Sequence, residues 1–491
     1  MENQTIGHSR YPRGLALLTA VGLLGAVVMA GFIAAYGANQ GVDSLTLPVA
    51  GRTLNGFMAI VLTCIALVVP LTANLYTPKL VTLYVKHSLI VTMLSLLLGT
   101  HIICLALNFL PLGSRWNRVL TDLLALIYLL VMVGALPFLY GISRFLRPSY
   151  FVPMLTKKGI HNLNAMVHRK QAPYKGAELF ETIDVVTNIA LTGMHRGDRQ
   201  IVLLALQSLH ALLIEIIGSG SNGVSGWRAS RPFFVPGLAV EGQAFLIREG
   251  IWPEAYVVAQ TLKVMEGANR QQHEILAEVA SLMVSSAQLA SVLHQDLVVE
   301  LHIMAFNTLM REAVEEKDLR RFQNLSYHYR LLIEAFHEVP VRMHEATQHL
   351  LHYGKIAARQ NLHFALETVV YDMGELVLSL ARHDEERAVE MVQAWAGPLW
   401  MEAIDQGSLM KKVGWRTLIR TYWEAKAQGR EELAGALYWR FLTDVVIHKE
   451  QVELLLEENR ELHYEFNDRL MRFAHLSPQA EALAQAFLSE W

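Results

Sequence analysis

Four long stretches of the chain carry almost no charge, and they constrain everything else about it. They run over about residues 14–36, 54–74, 88–110 and 120–142. A bilayer core about 30 Å thick is crossed by a helix of about 20 apolar residues. Inside hydrocarbon, only a helix or a closed barrel satisfies its own backbone. The sequence therefore predicts four transmembrane helices near the N-terminus. The first apolar run, Gly14–Tyr36, follows Arg10 and Arg13 as a signal peptide would. It is longer than the 7–15 residues of a signal h-region, so it reads as a retained span.

Charge divides along the same line. Residues 1–170 contain 13 Lys and Arg against 3 Asp and Glu, whereas the remainder contains 29 against 42. A basic membrane part suits anionic lipid headgroups. An acidic remainder argues against nucleic acid, which calls for a basic face. The loop charges set the orientation. One side carries Arg10, Arg13, Lys79, Lys86, Arg144, Arg147, Lys157 and Lys158, and the other only Arg52, Arg115 and Arg118. The richer side is expected to be cytoplasmic, which places both termini inside an inner (plasma) membrane. The two cysteines, Cys64 and Cys104, fall in apolar stretches, so no disulfide framework exists.

Within the spans, Thr77-Pro78 reads as an N-cap followed by proline at the first helical position. Lys79 and Lys86 can then snorkel to headgroups. Pro70 and Pro137 are expected to kink their helices. Gly22, Ala26, Ala30, Gly31 and Ala35 offer small-residue packing on the first span, within one subunit or between subunits. The third span holds one polar stripe, His101, Cys104 and Asn108, at spacing i, i+3, i+7. It reads either as a pore-lining or proton-relaying histidine, or as a neutral histidine hydrogen-bonded between helices. Asp122 is expected to cap the fourth span or pair with Arg118.

Beyond the spans, residues 147–217 read as a basic, proline-interrupted connector against the inner leaflet and a helical hairpin. Residues 218–237 read as a linker. Residues 238–491 read as a cytosolic all-α domain, a bundle or irregular solenoid of roughly a dozen helices. The helical period is clearest in Leu362, Leu366, Val369, Met373, Leu376 and Leu380, which form one stripe. Helix breaks are expected at Ala381–Asp384 and at Gln428-Gly429. No fixed repeat period emerges, although Asp318–Phe336 and Arg430–Val446 look loosely like helical-repeat units.

The short motifs carry no chemistry. Gly218-Ser-Gly220-Ser-Asn-Gly223 spells GxGxxG, but a helix rather than a strand precedes it. His344-Glu345 and His349 miss the i, i+4 histidine spacing of a zinc helix by one residue. Glu345, His349 and His352 do share a face and are the only metal candidates; a solvated face explains them better. Glu334-Ala-Phe-His337 is a single ExxH, where a di-iron bundle uses two. The pairs Glu315-Glu316 and Glu385-Glu386 read as solvated charge. Trp395, Trp400, Trp415, Trp423 and Trp439 read as packing residues. No cofactor is implied.

Residues 60–214 resemble a family of uncharacterised bacterial membrane proteins. The resemblance rests on Tyr76-Thr77-Pro78-Lys79-Leu80 and on the helix from Glu178 through Asp184 to Leu191. At the turn Thr192–Arg199 only Asp198 matches that family's pattern. The resemblance implies a four-span topology with a cytosolic helical region. Three functions are consistent with these features. The first is a homo-oligomeric channel with a helical vestibule. The second is a membrane-anchored scaffold or sensor for a cytosolic protein partner. The third, an enzyme, lacks any catalytic constellation.

Overall fold

A computed structural model describes residues 46–75, 88–109, 127, 131, 133–134, 138–144, 147–169, 172–220, 228, 235, 237–267, 273–405, 408–460 and 473–490. Among them every regular element is helical and no strand occurs. The chain divides into two compact units, residues 1–155 and 156–491.

In the first unit, α1 (Thr46–Leu75) and α2 (Ser88–Phe109) coincide with the second and third expected spans and pack on each other. Helix α1 continues through Pro70. The first expected span, the Thr77-Pro78 cap, Lys79, Lys86, Asp122 and Pro137 lie outside the described residues. The described residues between 127 and 144 are helical. On α2, Ile90, Met93 and Leu97 are buried at i, i+3, i+7 and face α1's neighbourhood. The outward residues are as apolar as the inward ones: Ile60 and Leu67 on α1, and Leu98 and Ile102 on α2, are all about half exposed or more, Leu67 at 67%. A helix apolar on every side has no water-facing surface.

The segment read as a basic connector is helical instead. It forms α3 (Pro148–Arg169), and α4 (Ala172–Arg196) follows after two residues. Pro148 opens the helix, where a missing N–H costs nothing. Lys157 and Lys158 stay exposed while Leu163 and Met166 are buried. The division between units falls inside α3, not before it.

The second unit continues with α5 (Arg199–Gly220), α6 (Val240–Glu249), α7 (Trp252–Glu266), α8 (His273–Val292), α9 (Asp296–Glu315), α10 (Leu319–Ala335), α11 (Pro340–Arg359) and α12 (His363–His383). Then come α13 (Glu385–Met391), a π-helical turn (Val392–Ala396), α14 (Gly397–Asp405), α15 (Ser408–Ala427), α16 (Glu431–Phe441), α17 (Val445–Arg460) and α18 (Pro478–Ser489). The packing order shows the architecture. Helices α5, α8, α10, α12, α15 and α18 touch in succession and form one layer. Helices α7, α9 and α11 touch in succession and form a second. The expected all-α character holds among the described residues, and the helices form a two-layered stack in which neighbours bury each other.

Among the described residues two helices are long and apolar enough to cross a membrane, over Arg199–Gly220 and Glu274–Val292, and neither is an expected span. Both belong to the first of these layers, the inner layer, with α5 packed on α4, α7 and α8, and α8 on α5 and α10. Burial on several sides accounts for their composition.

Six interhelical turns are built alike. At Gly197, Gly250, His294, Lys317, Asn361 and Gly429 the backbone is left-handed. At each, that residue's N–H bonds three residues back and the next N–H bonds five back, as in Asp318 N to Ala313 O at 2.9 Å. These are Schellman closures, which satisfy the orphan carbonyls of a helix end. Asp198 then caps α5, accepting from Ile201 N at 3.2 Å. The π turn has its own cause. Pro398 lacks an N–H, and its ring would strike the carbonyl four residues back. The helix widens there, and Gly397 N bonds Val392 O, five residues back, before α14 resumes.

Helices α14 and α15 approach each other closely. A Cβ on Gly414 would lie 2.7 Å from Trp400 O and 3.2 Å from Ile404 N, both backbone atoms that cannot turn aside. Gly414→Ala is expected to lower the unfolding free energy by about 1–3 kcal/mol. Gly435→Ala, on α16 with open space around it, is expected to raise it by roughly 0.5 kcal/mol. Denaturant midpoints of the two variants check the contrast.

Candidate functional site

Polar side chains in the inner layer fall on helix positions three or four apart, so each set lies on one face. On α10 these are Ser326, Arg330 and Glu334; on α12, Asp372 and Glu375; on α15, Arg416, Arg420 and Glu424. The faces meet. Ser326 Oγ donates to Asp372 Oδ2 at 2.5 Å, and both residues are fully buried. Arg330 pairs with Glu334 and stands 3.8 Å from Asp372. Arg420 pairs with Glu375 at 2.7 Å and lies over the Tyr371 ring at 4.9 Å. Arg416 pairs with Glu367 and, at 3.5 Å, with Glu458, which also takes Lys412 at 2.5 Å.

This lattice pushes two carboxyls apart. Burial raises the Glu334 carboxyl, and Arg330 beside it offsets that only in part. Burial acts on Glu375 too, but Arg420 and then Arg330 outweigh it and hold that carboxyl below the usual range. Divergent carboxyls accompany acid–base chemistry when a substrate can reach them. Here the groups are consumed by helix-to-helix pairing. Buried pairs of this kind fix which surfaces may meet more than they add stability. They set the register of α10, α12 and α15.

A second buried pair has the geometry of a nucleophile and base. Ser286 Oγ stands 2.7 Å from His302 Nε2, and His302 Nδ1 is 2.8 Å from Val298 O. The backbone carbonyl selects the Nδ1–H tautomer, leaving Nε2 to accept from the hydroxyl. Both residues are wholly buried on α8 and α9, so the pair ties two layers together. Burial pushes the His302 imidazole down to about 4. It does the same to His210, which His302 also disfavours.

The described residues also line surface clefts, of which two stand out. One of about 230 Å³ lies among α11, α12 and α14, beside Lys355, Arg359, His363 and Glu402; Lys355 and Glu402 pair across it at 2.6 Å. The other, about 340 Å³, lies beside Arg228, Glu249, His294 and Asp296.

The residues singled out from sequence are placed as follows. His101 continues the buried stripe of α2 and is half-buried, with Nδ1 enclosed and without a hydrogen-bond partner. Cys104 and Asn108 belong to α2, but their side chains are outside the described residues. Arg144 stacks on Tyr150 at 4.1 Å and Tyr140 at 5.7 Å, and Arg147 is exposed. Glu345 is tied to Arg342 at 2.7 Å, His349 is half-buried and His352 is exposed. Among the described residues no group of three metal-ligating side chains occurs. Glu385, read as solvated, accepts from Leu433 N at 2.9 Å and joins α13 to α16. Trp400 and Trp423 are core, whereas Trp439 is 76% exposed.

The segment read as a linker holds the largest omission. Helix α5 runs to Gly220, and Arg228 is buried in a two-pronged pair with Glu254, at 2.6 and 3.0 Å. Val235 exchanges two hydrogen bonds with the Gln243 side chain. Glycine and serine composition signals flexibility, but a buried cation with its counter-ion does not. The carboxylates of α4 are likewise engaged: Glu178 accepts from Asn162 at 3.1 Å, and Asp184 from Tyr256 at 2.5 Å.

Comparison with protein-family models, with curated proteins and with solved structures finds no match to this chain.

Proposed function

We propose that this chain is a membrane-anchored adaptor: a four-span N-terminal bundle holds an α-solenoid at the cytosolic face of an inner membrane, where the stack binds protein partners. The two-layered stack carries this reading. Such stacks present long helical surfaces and grow by addition of layers. Many of its buried charged residues are engaged in pairing between neighbouring helices, and the two clefts described above bring no nucleophile and base together. Support for the anchor is the surface of α1 and α2, where Leu67, Leu98 and Ile102 face outward. Exposed apolar area on that scale marks a membrane or partner contact.

The test is fractionation followed by proteolysis. The chain is expected to stay in the membrane pellet through alkaline carbonate and to need detergent for extraction. In inverted vesicles, added protease is expected to remove the second unit, and in right-side-out vesicles to spare it. Release by carbonate would overturn the anchor.

A second reading, the homo-oligomeric channel, draws on His101 alone, an enclosed imidazole nitrogen on the inward face of α2. Under it, His101→Ala changes ion flux in liposomes, or the pH dependence of that flux. Absence of flux for common ions from oriented vesicles leaves the adaptor.

A further inference from the structure

The inner layer already holds a short strap of chain, which turns at Phe473-Ala474 and runs on without regular structure to Ser477. Residues 473–477, just before α18, lie along the seam between α12 and α15. The contacts are of two kinds. One kind grips the main chain. Arg420 Nε donates to His475 O at 2.7 Å. Glu424 accepts from Ser477 N at 2.5 Å and from Ser477 Oγ at 3.0 Å. Asn459, on α17, accepts from Leu476 N at 3.2 Å. The other kind receives side chains. Leu476 is 1% exposed. Phe473 lies 4.8 Å from the Tyr371 ring and 5.8 Å from Phe364, with the Arg416 guanidinium 5.8 Å over it. Ser477 is extended, at φ −63° and ψ 152°.

Main-chain hydrogen bonds that give affinity, with pockets for spaced apolar side chains that give specificity, are how proteins bind short peptide segments. The gripping residues are themselves held from behind. Arg420 is pinned by Glu375 and Arg416 by Glu367. A pre-organised donor loses little on binding. Two donors of these arginines are also left over: Arg420 Nη1 and Arg416 Nε are buried and have no partner. A tight intramolecular fit would have used them, because an unmet buried donor is costly. The tethered segment is thus an incomplete ligand for this seam.

We propose that the seam between α12 and α15 is a docking groove for a short segment of a partner protein with two apolar anchors three residues apart, and that residues 473–477 occupy it as a tethered competitor. This rests on the adaptor reading and names its contact surface. The competitor needs little intrinsic affinity, since tethering supplies an effective concentration in the millimolar range.

The experiment uses the full-length chain in detergent micelles and a fluorescent peptide of residues 472–479, RFAHLSPQ, read by anisotropy. In one chain variant, Phe473→Ser and Leu476→Ser remove the tethered anchors. The peptide is expected to bind this variant at least tenfold more tightly than it binds the unmodified chain. Adding Arg420→Gln and Glu424→Gln is expected to reverse the gain, and so is removing the two anchors from the peptide. Equal binding to the unmodified and anchor-free chains overturns the proposal, as does binding indifferent to the peptide's anchors. Should the anchor-free chain fail to fold by circular dichroism, Ser477→Ala serves instead. It removes one of the two Glu424 contacts and is expected to raise peptide affinity about threefold; no change overturns the proposal. Failure here leaves membrane retention untouched, and carbonate release leaves this result untouched, so the two readings fall separately.

Discussion

Arg228→Ala is expected to destabilise the second unit by about 3–5 kcal/mol, the usual cost of breaking a buried ion pair from one side. Arg228 is 7% exposed and Glu254 not at all. The guanidinium also bonds Gly250 O at 2.8 Å and Ile216 O at 3.0 Å. Trp252 Nε1 in turn donates to the Arg228 carbonyl at 2.8 Å. One side chain therefore joins the end of α5 to the turn between α6 and α7. Burial already pushes the Glu254 carboxyl upward, and Arg228 is what opposes it. Without Arg228 the carboxyl rises further, and folding favours its protonated form. The variant should thus lose stability as pH climbs above the ordinary carboxylate range, more steeply than the unmodified protein. Arg228→Met with Glu254→Leu removes both charges and is expected to recover most of the loss. Urea midpoints at pH 5 and pH 8 separate these outcomes. A loss under 1 kcal/mol for Arg228→Ala would show that the pair does not hold the turn.

Acid should weaken the stack through His302. Its imidazole is held down to about 4, against 6.5 when unfolded. A depressed histidine contributes stability that is complete above pH 6.5. That stability disappears as pH falls through 6.5 towards 4, because the unfolded chain takes up the proton first. The shift corresponds to about 3 kcal/mol at the low end. His210 and His448, also held down to about 4 by burial, act with the same sign. Glu254, Glu312 and Glu334 act oppositely, since burial raises them and favours folding at low pH. His302→Leu isolates the histidine. Ser286 keeps a partner, because its hydroxyl also reaches Met283 O at 3.0 Å. Denaturant midpoints between pH 7.5 and 4.5 are expected to fall less steeply in this variant; parallel curves would exclude His302 as a source.

How far these features can be read from sequence depends on what each one leaves in the chain. The stripe is legible because a helix with one buried face imposes its period on apolar residues: Leu366, Val369, Met373, Leu376 and Leu380 are buried on α12, while Leu362, expected in the same stripe, is its half-buried N-cap residue. The breaks at Asp384 and Gly429 are legible because caps demand particular residues. Asp384 accepts from Arg387 N, and Gly429 has φ 68°. The stacking is not legible, because its repeated unit is a turn and not a sequence. Three of the six left-handed positions are His294, Lys317 and Asn361, whose identities announce nothing. Arg228 was hidden by its glycine-rich surroundings, and its partner lies 26 positions on. The groove residues Arg420 and Glu424 look like ordinary surface charge at helical spacing. Only the fold reveals that they face a buried strap.

The layer order also determines how damage spreads. Each inner helix touches only the inner helices before and after it, as α8 touches α5 and α10. A lesion in one helix is therefore transmitted to its inner neighbours and to the other helices packed against it, and fades beyond them. Amide exchange should accordingly grade along the chain in steps of whole helices, with each step marking the reach of a single rung.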